Sequence, residues 1–134
     1  RQLFFVTLEI VFYIFAVFSN NCFVYDDILT DLGAAISGGM GLAAGANLNP
    51  EKKYPSMFEP IHGSAPDIAG KGIANPLAAI WSVSQMLDFF GKPQWGEKVL
   101  NAIEKLLEEG KCLTPDMGGN ATTSQVTDRL LELL

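Results

Sequence analysis

Three stretches carry side chains whose types and spacing could do chemistry. The first is Asp27-Ile28-Leu29-Thr30-Asp31. On a helix, carboxylates at i and i+4 share a face, where like charges repel by a few tenths of a kcal/mol. A divalent cation removes that repulsion, and hard carboxylate oxygens suit Mg²⁺ or Mn²⁺. The plainer reading of the same spacing is a solvated first turn, since surface carboxylates are common. The second stretch runs from His62 to Pro76, HGSAPDIAGKGIANP. Its glycines let backbone N–H groups approach a phosphate, and a helix N-terminus after Asn75-Pro76 adds its dipole. Asp67 is suited to hold both hydroxyls of a ribose and to repel a 2′-phosphate, a preference for NAD over NADP. No G-x-G-x-x-G is present, so this is not the dinucleotide fingerprint, and a structural crossover loop is the rival reading. His62, the only histidine, is by default a hydrogen-bonded loop residue. The third stretch, Thr114 to Thr123, reads as a turn followed by a helix cap, with an ordinary structural role for each residue.

The elements that must position these residues are legible to different degrees. The chain has 134 residues, enough for one ordinary domain. Its net charge of −6 comes without a basic run, which argues against a nucleic-acid partner. Hydrophobic residues make up 49 %, so a core is expected and a disordered acidic tail is excluded. Cys22 and Cys112 stand far apart with no Cys/His pattern, so neither a zinc site nor a cysteine nucleophile is supported, and a reduced, cytoplasmic setting fits. Residues 3–18, LFFVTLEIVFYIFAVF, hold one charge, Glu9. One or two buried strands, a signal peptide and a membrane tether compete there. The run is short for a span of roughly 20 residues, it has no small-residue cleavage site, and its Phe, Val and Ile favour strands.

Farther along, Asp26-Asp27 can cap a helix to about Ser37, which Gly38-Gly39 stop. Ser56 to Glu59 is a short strand candidate. Asn75-Pro76 opens a helix to about Phe90 that is apolar nearly all round and expected to be buried. A second helix spans about Trp95 to Glu109, with Val99, Ile103, Leu106 and Leu107 as its stripe and Gly110 at its end. The capping box Thr122-x-x-Gln125 opens a third, with Val126, Leu130, Leu133 and Leu134 facing inward. Strands before helices, with no repeat, give an α/β or α+β class.

Three motifs in order, DDILTDLGAAISGG, MFEPIHGSAPDIAGKGIANP and LTPDMGGNATTSQVTDRL, resemble the C-terminal part of the β-hydroxyacid oxidative decarboxylases. That family includes the 3-isopropylmalate, isocitrate, tartrate and D-malate dehydrogenases. The resemblance covers about residues 26–134 and is closest to the tartrate/D-malate type. It implies an α/β (α/β/α) isocitrate/isopropylmalate dehydrogenase-like fold, present here as a C-terminal fragment. Residues 1–25 form an apolar segment unlike the family, 26–40 the metal-helix tail of the smaller domain, and 41–134 the C-terminal portion of the NAD-binding domain.

The resemblance also implies roles. Asp27 and Asp31 match the family's helical metal ligands. His62, Gly63, Ser64, Ala65, Pro66, Asp67 and Ile68 match its NAD loop, with Asp67 on the adenosine ribose. Asn75 matches the residue beside the adenine, and Glu59 a carboxylate near the nicotinamide. The implied reaction is NAD-dependent oxidation and decarboxylation of a 2-hydroxy dicarboxylic acid with Mg²⁺ or Mn²⁺ as Lewis acid and template, in a cytoplasmic homodimer. The family's catalytic tyrosine and lysine and its third metal aspartate lie upstream of the matched segment. Its substrate-clamping arginines do too, and only Arg1 and Arg129 occur here. Asp26 and Phe23 replace a glycine and an asparagine of the family pattern. A truncated or frame-shifted, catalytically incomplete chain is therefore expected. A 3-isopropylmalate dehydrogenase fragment and a non-catalytic NAD-binding or dimerising remnant are the alternatives.

Overall fold

The structure is a computed structural model and describes residues 39–134. The expected strands in 3–18, the helix over 26–37 and the pair Asp27 and Asp31 lie outside the described residues. The chain divides between Met40 and Gly41, and the strands and α-helices below belong to the compact unit Gly41–Leu134. They are β1 (Ala44–Asn47), β2 (Met57–Pro60), α1 (Leu77–Phe89), α2 (Pro93–Glu109) and α3 (Thr123–Leu133), with single 3₁₀ turns at Met40–Leu42, Pro66–Ile68 and Pro115–Met117.

β1 and β2 pair antiparallel, Ala44 with Pro60 and Asn47 with Met57. β2 alternates as an amphipathic strand should: Phe58 and Pro60 are partly covered while Met57 and Glu59 are exposed. The Phe58 ring meets Phe89 of α1 with centroids 5.8 Å apart. Between the strands, the Asn49 N–H donates to Ser56 Oγ at 2.9 Å, and its side-chain amide donates to the Tyr54 carbonyl at 3.2 Å.

The three helices build the core. Leu77 of α1, Ala102, Ile103 and Leu106 of α2, Ala121, and Val126 and Leu130 of α3 form one buried cluster. α2 follows its expected stripe and ends at Gly110, whose φ of 62° is the left-handed geometry of a helix end. It starts two residues earlier than Trp95, because Pro93 takes the first-turn position where a missing N–H costs nothing. α1 and α2 approach closely at Gly96: a side chain there would strike Ser84 O and the Asp88 carboxylate, and the buried Ser84 hydroxyl donates to the Gly96 carbonyl at 3.0 Å. α3 opens on the expected capping box, Thr122 with Gln125, and buries Val126 and Leu130, but Leu134 is exposed.

α1 departs from expectation. Its buried residues are Leu77, Ala78, Ser82 and Ser84, whereas Val83 and Phe90 are exposed. Uniform apolarity carries no information about which face turns inward. Ser84 turns inward because it meets α2 at Gly96, where a small side chain allows the close approach, and the Ser82 hydroxyl is satisfied within the helix by the Ala78 carbonyl at 2.9 Å.

Arg129 ties α3 to the end of α2. Its guanidinium donates to both oxygens of Glu109, at 2.6 and 2.8 Å from Nη2, and to Glu132 at 2.7 Å from Nη1. The Arg129 hydrogen bonds lower the Glu109 pKa below its ordinary value of 4.5. A depressed carboxyl pKa contributes stability that is present above the ordinary value and lost as pH falls through the folded one. Melting temperatures of the chain and of Arg129→Ala, compared from pH 7 downward, should differ at neutral pH and converge once Glu109 is protonated. Added salt should shrink the neutral-pH gap, as expected for a partly exposed pair. Leu106 is 1 % exposed. Leu106→Ala should cost ~2–5 kcal/mol, measured as a lower urea midpoint at unchanged slope.

Candidate functional site

The polypeptide from Glu59 to Asn75 leaves β2, crosses the surface and delivers the chain to α1. Glu59 lies opposite Gly45 in the ladder and is exposed on the strand face away from Phe58. His62 follows, half-buried, with Nδ1 3.0 Å from the Gly63 carbonyl, so a protonated Nδ1 donates to it. The default reading of His62 as a hydrogen-bonded loop residue is what this geometry contains. Gly63, Ser64, Ala65, Pro66 and Asp67 are all exposed, and Ile68 is partly covered.

Pro66–Ile68 winds into a 3₁₀ turn because Pro66 presets its first φ, with the Ile68 N–H donating to the Ala65 carbonyl at 3.1 Å. Ala65 before it is left-handed, at φ 42° and ψ 62°. A non-glycine residue there stores local strain, and such outliers cluster at binding segments. The turn lifts Asp67 into solvent, and no ion pair among the described residues includes it. Two surface hollows, one around Trp95, Lys98 and Leu134 and one around Tyr54, Phe89 and Phe90, lie away from this loop.

The far end of the loop is fastened. Asn75 Oδ1 accepts from the Leu77 N–H at 3.0 Å, an Asx-type turn just ahead of the helix, while the N-cap position expected for Asn75 falls on Pro76 and carries no side-chain cap bond. The helix itself begins at Leu77, one residue beyond the expected start. Asn75 Nδ2 donates to Asp116 Oδ2 at 2.9 Å. Thr123 adds two straps: its N–H donates to the Gly72 carbonyl at 2.9 Å and its hydroxyl to the Ala74 carbonyl at 2.6 Å. The turn around Pro115–Met117 and the start of α3 are therefore one assembly with residues 72–75.

Sequence reasoning gives Asp116 and Thr123 local roles and misses this connection. The adjacent threonines at the helix start are the available signal: one suffices for the cap, which leaves the other free to bond elsewhere. The structure thus brings Asn75 and Asp116 together, ties Thr123 to Gly72 and Ala74, and strings Glu59 to Asp67 along one surface path, half-buried at Pro60 to His62 and exposed from Gly63. Among the described residues no group of three or more His, Cys, Asp or Glu side chains is arranged to hold a metal, and no helix is long and apolar enough to cross a membrane.

This architecture has close counterparts. The chain matches the isocitrate/isopropylmalate dehydrogenase family over residues 14–130, a span that takes in residues 14–25 of the apolar first segment. It is 50 % identical over 111 residues to a probable tartrate dehydrogenase/decarboxylase of Bacillus subtilis, covering 83 % of this chain and 31 % of that protein. It is 52 % identical over 116 residues to the decarboxylating D-malate dehydrogenase of Escherichia coli, covering 83 % and 32 %. The crystal structure of isocitrate dehydrogenase from Methylococcus capsulatus superposes with a TM-score of 0.75 at 40 % identity, over 81 % of this chain and 32 % of that one. The chain spans about a third of the length of these relatives. The fold is thus part of the isocitrate dehydrogenase-like α/β architecture, as the sequence motifs imply, and the strand pair and three helices are a portion of it. By a match over most of its residues, at half identity to decarboxylating dehydrogenases, the chain belongs to the isocitrate/isopropylmalate dehydrogenase family.

Proposed function

We propose that residues 59–75 form one wall of an NAD site in an oxidative decarboxylase of 2-hydroxy dicarboxylic acids, of the tartrate/D-malate type. The observation that carries the reading is the exposed Asp67 carboxylate. It stands on a turn preset by Pro66 and is engaged by no ion pair among the described residues. An ionised carboxylate accepts two hydrogen bonds at once, which matches a ribose diol. Its charge repels a 2′-phosphate, so NAD is favoured over NADP. The exposed backbone of Gly63 and Ser64 leaves room for a phosphate to approach. Asn75 borders the base, and Glu59, on the open face of β2, serves the nicotinamide side. Held by Asp67, Asn75 and the Gly63–Ser64 backbone, NAD would supply the hydride acceptor for oxidation at the 2-hydroxyl carbon.

Asp27 and Asp31 would hold Mg²⁺ or Mn²⁺ in this reading. Their support is the i, i+4 spacing and the resemblance, since both lie outside the described residues. The substrate class rests on the relatives named for tartrate and D-malate. 3-Isopropylmalate is the alternative substrate within the same family. A homodimer in a cytoplasmic setting belongs to the same reading.

One observation favours a second reading, a chain that binds the nucleotide without turning it over. Arg129, the one arginine among the described residues, is committed to Glu109 and Glu132. It is therefore already engaged and does not serve as a bidentate clamp for substrate carboxylates. Calorimetry and turnover together separate the two readings. NAD should bind saturably and more tightly than NADP. Asp67→Ala should weaken NAD by roughly tenfold to a hundredfold, the worth of a charge-assisted hydrogen bond to a diol. NADH production with Mn²⁺ and D-malate, tartrate or 3-isopropylmalate identifies the enzyme and its substrate. Binding without turnover identifies the second reading, and no binding by the folded chain overturns both.

A further inference from the structure

Asn75 could in principle turn its amide either way. Asp116 removes that freedom. A carboxylate only accepts hydrogen bonds and a backbone N–H only donates. With Asp116 Oδ2 2.9 Å from Nδ2 and the Leu77 N–H 3.0 Å from Oδ1, a flipped amide would set oxygen against oxygen and donor against donor. The bonding partners thus fix one orientation, and they leave a second Nδ2–H of defined position for an outside acceptor. The two backbone straps from Thr123 to Gly72 and Ala74 hold the two segments in register, so the Asn75–Asp116 pair forms without a further loss of loop freedom. Gly41 completes the cradle. A Cβ there would lie 2.5 Å from Asp116 Oδ2 and 3.0 Å from Asn75 Nδ2, so only glycine leaves the pair undisturbed.

We propose that Asp116 is a positioning residue of the nucleotide site. It holds the Asn75 amide in the one orientation that offers a donor to the base edge, and it touches no ligand itself. The proposal deepens the NAD reading above and rests on it. It assigns the Pro115–Met117 turn to the site as a brace, beyond its local part as a turn.

The test uses the full chain and calorimetric titration with NAD, with circular dichroism and urea midpoints as the check on folding. Asp116→Ala removes the acceptor, and Gly41→Ala drives the pair apart by sterics while leaving both partners present. Each should weaken NAD by up to about tenfold, the effect expected of losing one neutral hydrogen bond from the Asn75 amide to the base edge. Asp116→Asn keeps an acceptor oxygen facing Nδ2 and should bind within about twofold of the unaltered chain. Rescue by asparagine is a readout that a purely structural role for the charge would not produce. Asp116→Ala binding as well as the unaltered chain, or Asp116→Asn failing as badly as Asp116→Ala, overturns the proposal. If Asp116→Ala does not fold, Gly41→Ala and Asp116→Asn decide the matter: Gly41→Ala binding normally overturns the proposal too. Failure of the unaltered chain to bind NAD overturns the nucleotide reading, and the brace with it. Normal binding by the unaltered chain and by Asp116→Ala removes the brace alone.

Discussion

Residues 72–75 have no helix or ladder of their own, and the candidate site depends on how they are held. A stretch of loop this close to a helix start is costly to order, at about 1–2 kcal/mol of backbone entropy per residue. Here the ordering is done by three hydrogen bonds that reach back from Asp116 and Thr123 to Asn75, Ala74 and Gly72. Their net worth is about 1 kcal/mol each, so no single one secures the loop. What gives them purchase is the rigidity of their base: Thr122 and Gln125 cap α3 reciprocally, and Val126 and Leu130 anchor α3 in the core. The candidate nucleotide loop is thus held at its distal end by the last helix of the chain, while its Asp67 end stays open to solvent.

How much of this is legible in the sequence follows the range of each interaction. The Thr122–Gln125 box closes within three residues, and it stands where the motif puts it. The helix end at Gly110 is equally local. β1 is not legible. Ala-Gly-Ala-Asn has little intrinsic preference for strand, and it becomes one because Met57–Pro60 offers a ladder across an intervening loop. Asp116 is opaque for the same reason. Its partner lies 41 positions away, and a Pro-Asp turn with flanking glycines needs no distant partner to make sense.

The helix starting near Asn75 is legible as a helix and illegible in orientation. A periodic pattern names the buried face, and a helix that is apolar on every side names none. α2 and α3, with clean stripes, bury Ile103, Leu106, Val126 and Leu130 and partly cover Val99, Leu107 and Leu133, while Leu134 is exposed. The resemblance to decarboxylating dehydrogenases is legible earliest of all, because motifs survive where periodicity is silent. It bears on family and fold, while the bond between Asn75 and Asp116 exists only once the chain has folded.

The inverted pattern of α1 bears on how the protein tolerates change. Serines at 82 and 84 point inward and Val83 and Phe90 outward. The usual expectation that polar replacements are harmless on the outside and ruinous within is then only half a guide. A bulkier residue at position 84 would pry α1 from α2 although it replaces a hydrophile. A hydrophile at position 90 would leave the helical core intact and make the surface less adhesive. Tolerance along this helix is set by side-chain size on one flank and by stickiness on the other.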